Sequence, residues 1–171
     1  DCCKAIKDMW VRGAPLIGVT ASYGMFFALS EDPSEKNINE AFKKLIDTRP
    51  TAVDLKWALE NILELINKVG IKERADLVWK FARNLEQESI SQCSKIGNYG
   101  LDIIESNIKD DKTINILTHC NAGWLACVDW GTALAPVYKA YNKGIDIHVW
   151  VDETRPRSQG AALTAWELSK H

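Results

Sequence analysis

The sequence lacks the features that mark nucleic-acid-binding and membrane proteins. Among its 171 residues no long block of like charge occurs, and the formal net charge is only −2, so we expect no nucleic acid as a partner. The longest apolar stretch, 14–29, is interrupted by glycine, serine and threonine, whereas a membrane span needs about 20 consecutive apolar residues. This stretch therefore predicts a buried helix, and we expect no membrane partner.

The cysteines lack the arrangement of a disulfide framework or a metal site. Their number is odd, five, and none are spaced as Cys-x-x-Cys, while Cys2 and Cys3 are adjacent in the chain. Adjacent cysteines suit neither a disulfide between them nor a pair of metal ligands. Because a signal-peptide pattern is also missing, we expect a reduced, cytoplasmic protein.

Both ends of the sequence lack the usual boundary signals. It starts at Asp1 without an initiator methionine, and it stops at His171 inside an amphipathic helical pattern. We expect a truncated or cleaved chain.

Hydrophobic periodicity separates a helical part from a part in which strands and helices alternate. Residues 1–108 follow the helical period, which predicts a bundle of helices, and residues 109–171 change to a βαβα pattern. The segment 109–112, Lys-Asp-Asp-Lys, predicts a polar linker at the boundary. This alternation indicates the α/β class, with a parallel sheet and right-handed crossovers. Two strands are too few for such a sheet, so we expect the rest of it beyond His171 or on another chain.

Local signals predict where individual elements begin and end. Thr51 and Asp54 resemble a capping box at a helix start. Gly97 and Gly100 predict an interruption of the long helix that follows. The remaining elements are predicted, in chain order, as a helix at 71–106, a strand at 113–118, a helix at 124–142, a strand at 145–151 and a helix from about Ala161.

A cysteine follows the first predicted strand, at the kind of position where open α/β sheets bind ligands. Cys120 lies in the motif THCNAG, between a strand end and a predicted helix start. A helix N-terminus favours the thiolate form of a cysteine, which can act as an acid, a base or a nucleophile. Free cysteine is also a common buried residue, so the local sequence leaves a structural role open. Strand alternation points the neighbouring His119 to the opposite face, and we expect a structural role for it.

The loop after the second predicted strand offers groups that could bind an oxyanion. It spans 152–160 and carries Arg155, Arg157 and Gln159. Guanidinium forks and backbone amides suit an oxyanion, although solvated charges on a loop would explain the same residues.

Two further arginines precede predicted helices in the first part of the chain. Arg12 and Gly13 stand before a helix that has Pro15 in its first turn, which predicts a phosphate seat at the helix N-terminus. Arg49 stands just ahead of another helix start. Either arginine alone is a weak signal.

Four segments of the chain carry a collinear pattern. They read VRGAPLIGVTASYG, TRPTAVDLKWAL, LTHCNAG and HVWVDETRPRSQGAALTAWEL. In this order and at similar spacing, they resemble the 5-methylthioribose-1-phosphate isomerase family. The resemblance extends over nearly the whole chain.

The resemblance implies a fold, a reaction and a set of site residues. The fold is a helical N-terminal domain, 1–108, followed by the start of a Rossmann-like catalytic domain, 109–171, in a homodimer that uses no metal or nucleotide cofactor. The reaction is the aldose–ketose isomerisation of a sugar phosphate, 5-methylthioribose 1-phosphate, in methionine salvage. The family's catalytic cysteine falls on Cys120. Its phosphate-binding positions fall on Arg12, Gly13, Ala14, Arg49 and Gln159.

The chain departs from the family pattern in several places. We expect a fragment that lacks the family's first strands, before the VRGAP motif, and its C-terminal half. The family's partner aspartate belongs to a motif downstream of the last helix, which this sequence ends before reaching, and Asp152 matches a different motif. We therefore expect this chain to be inactive alone, unless a second chain carries the C-terminal half. The family also often has arginine where this chain has Ala162.

Two related functions remain as alternatives. A ribose-1,5-bisphosphate isomerase shares the Thr-His-Cys strand end, but the intact VRGAP motif argues against it. Regulatory subunits of the guanine-nucleotide exchange factor of translation initiation share the fold and lack the cysteine, so the presence of Cys120 favours the enzyme.

Overall fold

The computed structural model describes residues 1–108 and 112–171. Residues 109–111, most of the predicted polar linker, lie outside the described residues. The chain forms two compact units, Asp1–Glu88 and Ser89–His171. This division falls within a long helix, and the domain boundary at 108/109 remains a prediction.

The first unit is a helical bundle, as the periodicity predicts. Helix α2 contacts its three neighbours α1, α3 and α4. Pro15 in the first turn of α2 and Ser34 before α3 fit the composition of helix starts, and the Ser34 hydroxyl accepts a hydrogen bond from Asn37 N at 3.4 Å. The helices are α1 (Cys2–Lys7), α2 (Ala14–Glu31), α3 (Glu35–Ile46), α4 (Val53–Ile66) and the first part of α5 (Arg74–Ser106).

The core of this unit is apolar and contributed by every helix. Cys2 and Cys3 pack against it as partly buried side chains, which fits a structural role. The buried residues are Ile6, Ile17, Ala21, Met25, Leu29, Ile38, Leu45, Leu55, Leu59, Ile62, Ile66 and Val78.

The capping box predicted at Thr51 is wrong. Helix α4 begins at Val53 after Ala52, and no side chain caps it. Its buried residues recur every three or four positions along one face, so tertiary burial specifies this helix where a cap does not.

The interruption predicted in the long helix is also wrong. Helix α5 runs without a break through Gly97 and Gly100. An added Cβ at Gly97 would stand 2.8 Å from Lys139 Cδ, and one at Gly100 would overlap the ring of Pro136. The glycines therefore allow the helix that carries Pro136 and Lys139 to pack closely against α5. This packing overrides the low helix propensity of glycine.

The second unit contains a two-stranded parallel sheet, as the βαβα pattern predicts. Strands β1 (Ile114–His119) and β2 (Ile147–Asp152) are paired in register from one end to the other. Helix α6 (Ala135–Asn142) contacts β2 and is part of the crossover between the strands. Leu134, Val137 and Tyr138 form a buried cluster on the sheet.

Two predicted helices of this unit differ in the structure. In place of the helix at 124–142, a single 3₁₀ turn at Trp124–Ala126 is followed by an irregular segment, and α6 starts only at Ala135. Gly131 in that segment has a φ of +78°, which a helix does not contain. The last helix begins with a π-turn at Gly160–Thr164 and continues as α7 (Ala165–Leu168).

Across the two described ranges of the chain, none of the helices combines the length and the apolar character that crossing a membrane requires.

Candidate functional site

The two parallel strands end side by side, which gathers polar residues at one edge of the sheet. His119 ends β1 and is paired with Asp152 at the end of β2. His119 Nδ1 lies 2.9 Å from Asp152 Oδ2, and because a carboxylate only accepts, Nδ1 donates. This hydrogen bond is the main cause that lowers the pKa of the exposed Asp152 carboxyl from its ordinary value. His119 thus bonds its strand neighbour, in keeping with the structural role expected for it.

Cys120 follows β1, and its thiol is held between two side chains of the loop after β2. Its sulfur donates to Gln159 Oε1 at 3.5 Å and accepts from Thr154 Oγ1 at 3.5 Å. The structure therefore brings together Cys120 and Gln159, two of the residues singled out from the sequence. Thr154 was missed, because a threonine in a charged loop carries no local signal.

These two contacts act on opposite protonation states of the thiol. Gln159, as oriented, accepts a hydrogen bond from the sulfhydryl group and so stabilises the neutral thiol. Thr154 donates to sulfur and so stabilises the thiolate. A half-buried thiol with a partner for each state is suited to giving up a proton and taking it back.

The backbone of Cys120 is held in an uncommon conformation. Its φ is +60°, and its N–H donates to Asp152 O at 3.2 Å. Its carbonyl accepts from Thr164 Oγ1 at 2.5 Å. A residue other than glycine keeps a left-handed conformation only where its surroundings impose it, and these two hydrogen bonds do so from separate elements.

A buried carboxylate lies behind this hydrogen bond. Asn121 Nδ2 donates both to Thr164 Oγ1, at 3.0 Å, and to Glu167 Oε1, at 2.7 Å. Leu125 N donates to the other oxygen of Glu167 at 3.1 Å. Glu167 is fully buried, so these donors replace the water that its oxygens lose. The sequence reasoning missed this network, although an acidic residue on the inner face of a short helix was a signal for it.

The loop after β2 is folded around a second carboxylate, Glu153. Its Oε1 accepts from Gly160 N at 2.7 Å and from Thr154 N at 2.8 Å, and its Oε2 accepts from Ala161 N at 3.1 Å. These backbone donors, Ala161 first, lower the pKa of the Glu153 carboxyl from its ordinary value. Arg155 and Arg157, at the tip of the loop, are exposed.

The remaining candidate residues lie in the first unit. Gly13 precedes α2 with a φ of +84°, a conformation that favours glycine, and its carbonyl accepts the first hydrogen bond of the helix from Ile17 N at 3.0 Å. Ala14 is the first residue of α2, and Arg12 stands before the glycine. The predicted turn before a helix is therefore present.

Arg49 stands before α4. Helices α2 and α4 cross closely near their first turns, which brings the turn before α4 near the turn before α2. An added Cβ at Gly18 in α2 would be 3.1 Å from the carbonyl oxygen of Asp54 in α4. The starts of the two helices, with Arg12 and Arg49 ahead of them, therefore lie at the same end of the bundle. Arg49 Nη1 is buried, and no residue in the described ranges accepts a hydrogen bond from it.

Comparison with known proteins gives consistent matches over the whole chain. The sequence model described as "Initiation factor 2 subunit family" matches residues 10–171. A methylthioribose-1-phosphate isomerase of Paramagnetospirillum magneticum is 54% identical over all of this chain and 48% of its own. A methylthioribose-1-phosphate isomerase of Escherichia coli is 50% identical over 98% of this chain and 46% of its own. The chain thus spans about half the length of the curated relatives it matches.

Two solved structures share the fold. The 5-methylthioribose 1-phosphate isomerase of Pyrococcus horikoshii superposes with a TM-score of 0.84 at 36% identity, covering 98% of this chain and 48% of the other. The translation initiation factor eIF-2B subunit delta of A. fulgidus superposes with a TM-score of 0.82 at 37% identity, covering 99% of this chain and 50% of the other.

Proposed function

The chain belongs to the initiation factor 2 subunit family, and from this premise we propose that it forms part of an aldose–ketose isomerase. The substrate of this enzyme is 5-methylthioribose 1-phosphate. The product is 5-methylthioribulose 1-phosphate, an intermediate of methionine salvage. Relatives that carry this activity in their names support the proposal at 50–54% identity. The observation that carries it is the Cys120 thiol, held at the strand ends by Thr154 and Gln159.

The substrate dictates what such a site has to do. Its phosphate sits on the anomeric oxygen, which blocks the free aldehyde that ordinary aldose isomerases use. An acid therefore has to protonate the ring oxygen as the bond from that oxygen to C1 breaks. A base then removes the proton from C2, which gives an enol between C1 and C2. A proton is delivered to C1 as the C2 hydroxyl releases its own proton and becomes the ketone.

We assign Cys120 to this proton transfer. Gln159 keeps its thiol available as a donor, and Thr154 stabilises the thiolate that remains after the proton leaves. Proton transfer by a positioned side chain contributes about 10²–10⁴ to a rate. Asp152 is not assigned to the complementary role, because it matches a different family motif from the one that carries the partner aspartate.

We assign the substrate phosphate to the turns of the first unit. Gly13 and Ala14 open the N-terminus of α2, where free backbone amides and the helix dipole favour an anion. Arg12 and Arg49 supply guanidinium groups at the same end of the bundle, and a buried guanidinium nitrogen of Arg49 is ready for an acceptor. The family resemblance also assigns Gln159 to phosphate binding.

A regulatory subunit is the second candidate function. The similarity to the A. fulgidus protein named as an eIF-2B subunit supports it, and a shared fold alone does not decide between binding and catalysis. The contacts that hold the Cys120 thiol favour the enzyme. A binding subunit has no need of a thiol with a partner for each protonation state.

Two further expectations belong to the proposal. A cytoplasmic location is supported by cysteines that are all free thiols in the described part of the chain. A homodimer is supported by the family resemblance alone.

The proposed function is tested by assaying the protein on two sugar phosphates, with the C-terminal half supplied on the same chain or on a second one. We expect ketose phosphate to form from 5-methylthioribose 1-phosphate with a kcat/KM at least about a hundredfold above that for ribose 1,5-bisphosphate. A preference for the bisphosphate would transfer the assignment to the alternative isomerase. Binding of either sugar phosphate without turnover would support the regulatory subunit.

A further inference from the structure

We propose that Glu153 is a positioning residue that holds Thr154 and Gln159 against the Cys120 thiol. The positioning role itself does not depend on the proposed function. Only its expected effect on turnover rests on that function. The side chain of Glu153 does not contact the sulfur in the described structure. It acts on the loop that supplies both of the sulfur's partners.

The Glu153 carboxylate closes the loop by bonding backbone groups at its two ends. Oε1 accepts from Thr154 N at 2.8 Å and from Gly160 N at 2.7 Å, and Oε2 accepts from Ala161 N at 3.1 Å. Thr154 is thus bonded directly to this carboxylate. Gln159 precedes Gly160, which is bonded to the same carboxylate. A displacement of that carboxylate would move both partners of the sulfur.

The backbone at Gly160 is shaped for this contact. An added Cβ there would stand 2.9 Å from Glu153 Oε1 and 2.8 Å from the carbonyl oxygen of Asp152. Only glycine lets the carboxylate and the strand end approach the loop this closely. The absence of a side chain at position 160 and the carboxylate at 153 are therefore complementary.

The electrostatics of Glu153 agree with a role in the ionised form. Its backbone partners are all donors, and they lower the pKa of its carboxyl. Glu153→Gln preserves the shape of the side chain and removes one acceptor, because an amide nitrogen cannot accept from a backbone N–H. This substitution therefore tests the acceptor function with little change in volume.

The first experiment measures the rate at which iodoacetamide alkylates Cys120, followed at that residue by peptide mass spectrometry. Alkylation needs no substrate, so it tests the positioning role even if the protein is not an isomerase. The wild type, E153Q, the reference variant T154V/Q159L and the triple variant are compared. Glu73→Gln is the matched control, because Glu73 also accepts from a backbone N–H, that of Gly70, in the first unit.

We expect E153Q and the reference variant each to change the alkylation rate by at least about threefold, and the triple variant to match the reference variant within about twofold. The control E73Q should alkylate at the wild-type rate. The proposal is overturned if E153Q alkylates at the wild-type rate. It is also overturned if E153Q produces its full effect again in the background that lacks Thr154 and Gln159.

A second measurement connects positioning to turnover. With the C-terminal half present, E153Q should lower kcat by about tenfold, while E73Q leaves kcat unchanged. If E153Q does not fold, as judged by circular dichroism, Glu153→Asp replaces it, because aspartate keeps the charge and shortens the reach. A wild-type alkylation rate in E153D would then contradict the role of Glu153.

Discussion

Cys120 combines a reactive side chain with a strained backbone. A left-handed conformation costs a residue other than glycine about 1 kcal/mol or more. Here it is imposed by the hydrogen bonds from Cys120 N to Asp152 and from Thr164 to the Cys120 carbonyl. In this conformation the thiol contacts the loop after β2, so the residues that maintain the conformation should matter for turnover as well as for stability.

Thr164→Val tests this coupling of strain and reactivity. The valine removes the donor to the Cys120 carbonyl and one acceptor of Asn121 with little change in shape. We expect a loss of about 1–3 kcal/mol in the free energy of unfolding, measured with urea, and at least about a tenfold loss in kcat. Thr48→Val is the control, because Thr48 also donates to a backbone carbonyl, that of Leu45. Equal effects on kcat in both variants would contradict the coupling.

Arg49→Ala tests the phosphate seat. A guanidinium bound to phosphate supplies a charge-assisted hydrogen bond, and its loss should raise KM for the sugar phosphate by at least about tenfold. Arg83→Ala, which removes an exposed arginine paired with Glu86, should leave KM unchanged. An unchanged KM in the Arg49 variant would remove Arg49 from the site.

The buried phenol of Tyr138 should make the protein less stable at alkaline pH. Burial first, and then the charge of Glu167, raise the pKa of its phenol above the ordinary value of 10.0. The unfolded chain releases this proton as the pH passes about 10 while the folded protein retains it, so stability present below that pH is lost above it. Tyr138→Phe should flatten the loss between about pH 9 and pH 11, measured by urea unfolding. The control Tyr141→Phe, at an exposed position, should keep the wild-type slope, and a Tyr138→Phe slope equal to the wild type would contradict this account.

Helix α5 illustrates how contact between elements overrides local propensity. Its glycines were interpreted as an interruption because glycine disfavours a helix by about 1 kcal/mol relative to alanine. The structure gives them another purpose, the close approach of α6 at Pro136 and Lys139. At Gly100, propensity would make alanine stabilising, whereas the contact with the rigid Pro136 ring makes it destabilising.

Gly100→Ala distinguishes the two explanations. Because the new methyl group would overlap the Pro136 ring, we expect the free energy of unfolding to fall by about 1–3 kcal/mol. Asn98→Ala, at an exposed position of the same turn, should leave stability unchanged or raise it by a few tenths of a kcal/mol. A Gly100→Ala variant more stable than the wild type would show that α6 does not approach as closely as described.

The elements that the sequence predicts well are those with a strong period or a distinctive start. The alternation of strand and helix predicts both strands of the sheet to within two residues, and the Arg-Gly-Ala-Pro turn predicts the start of α2 at Ala14. The segment 124–134 could not be predicted, because its apolar composition resembles a helix while its left-handed residues, Trp130 and Gly131, depend on tertiary contacts. Gly131, for example, lies where an added Cβ would overlap Gly123.

At the scale of the whole molecule, family motifs and contact geometry contributed different parts of the candidate site. The sequence singled out Cys120 by its place after a strand, and resemblance supplied Gln159. Thr154, which donates to the sulfur, and Thr164, which donates to the Cys120 carbonyl, lie 34 and 44 positions further along the chain and show no local signal that relates them to a thiol. Only the parallel pairing of β1 and β2 places them beside it. Folding therefore adds the groups that hold the reactive residue, and these could not be read from spacing alone.

The most direct test of the account is turnover of 5-methylthioribose 1-phosphate by the wild type and by Cys120→Ser, followed by phosphorus NMR. Both proteins are assayed with the C-terminal half present on the same chain or on a second one. Serine is nearly isosteric with cysteine and far less acidic, so the variant should keep the circular dichroism spectrum of the wild type. We expect the wild type to convert the aldose phosphate to the ketose phosphate, and Cys120→Ser to lower kcat by at least about 10³-fold. Ketose phosphate forming at a near wild-type rate in the folded serine variant would contradict the central role given to Cys120.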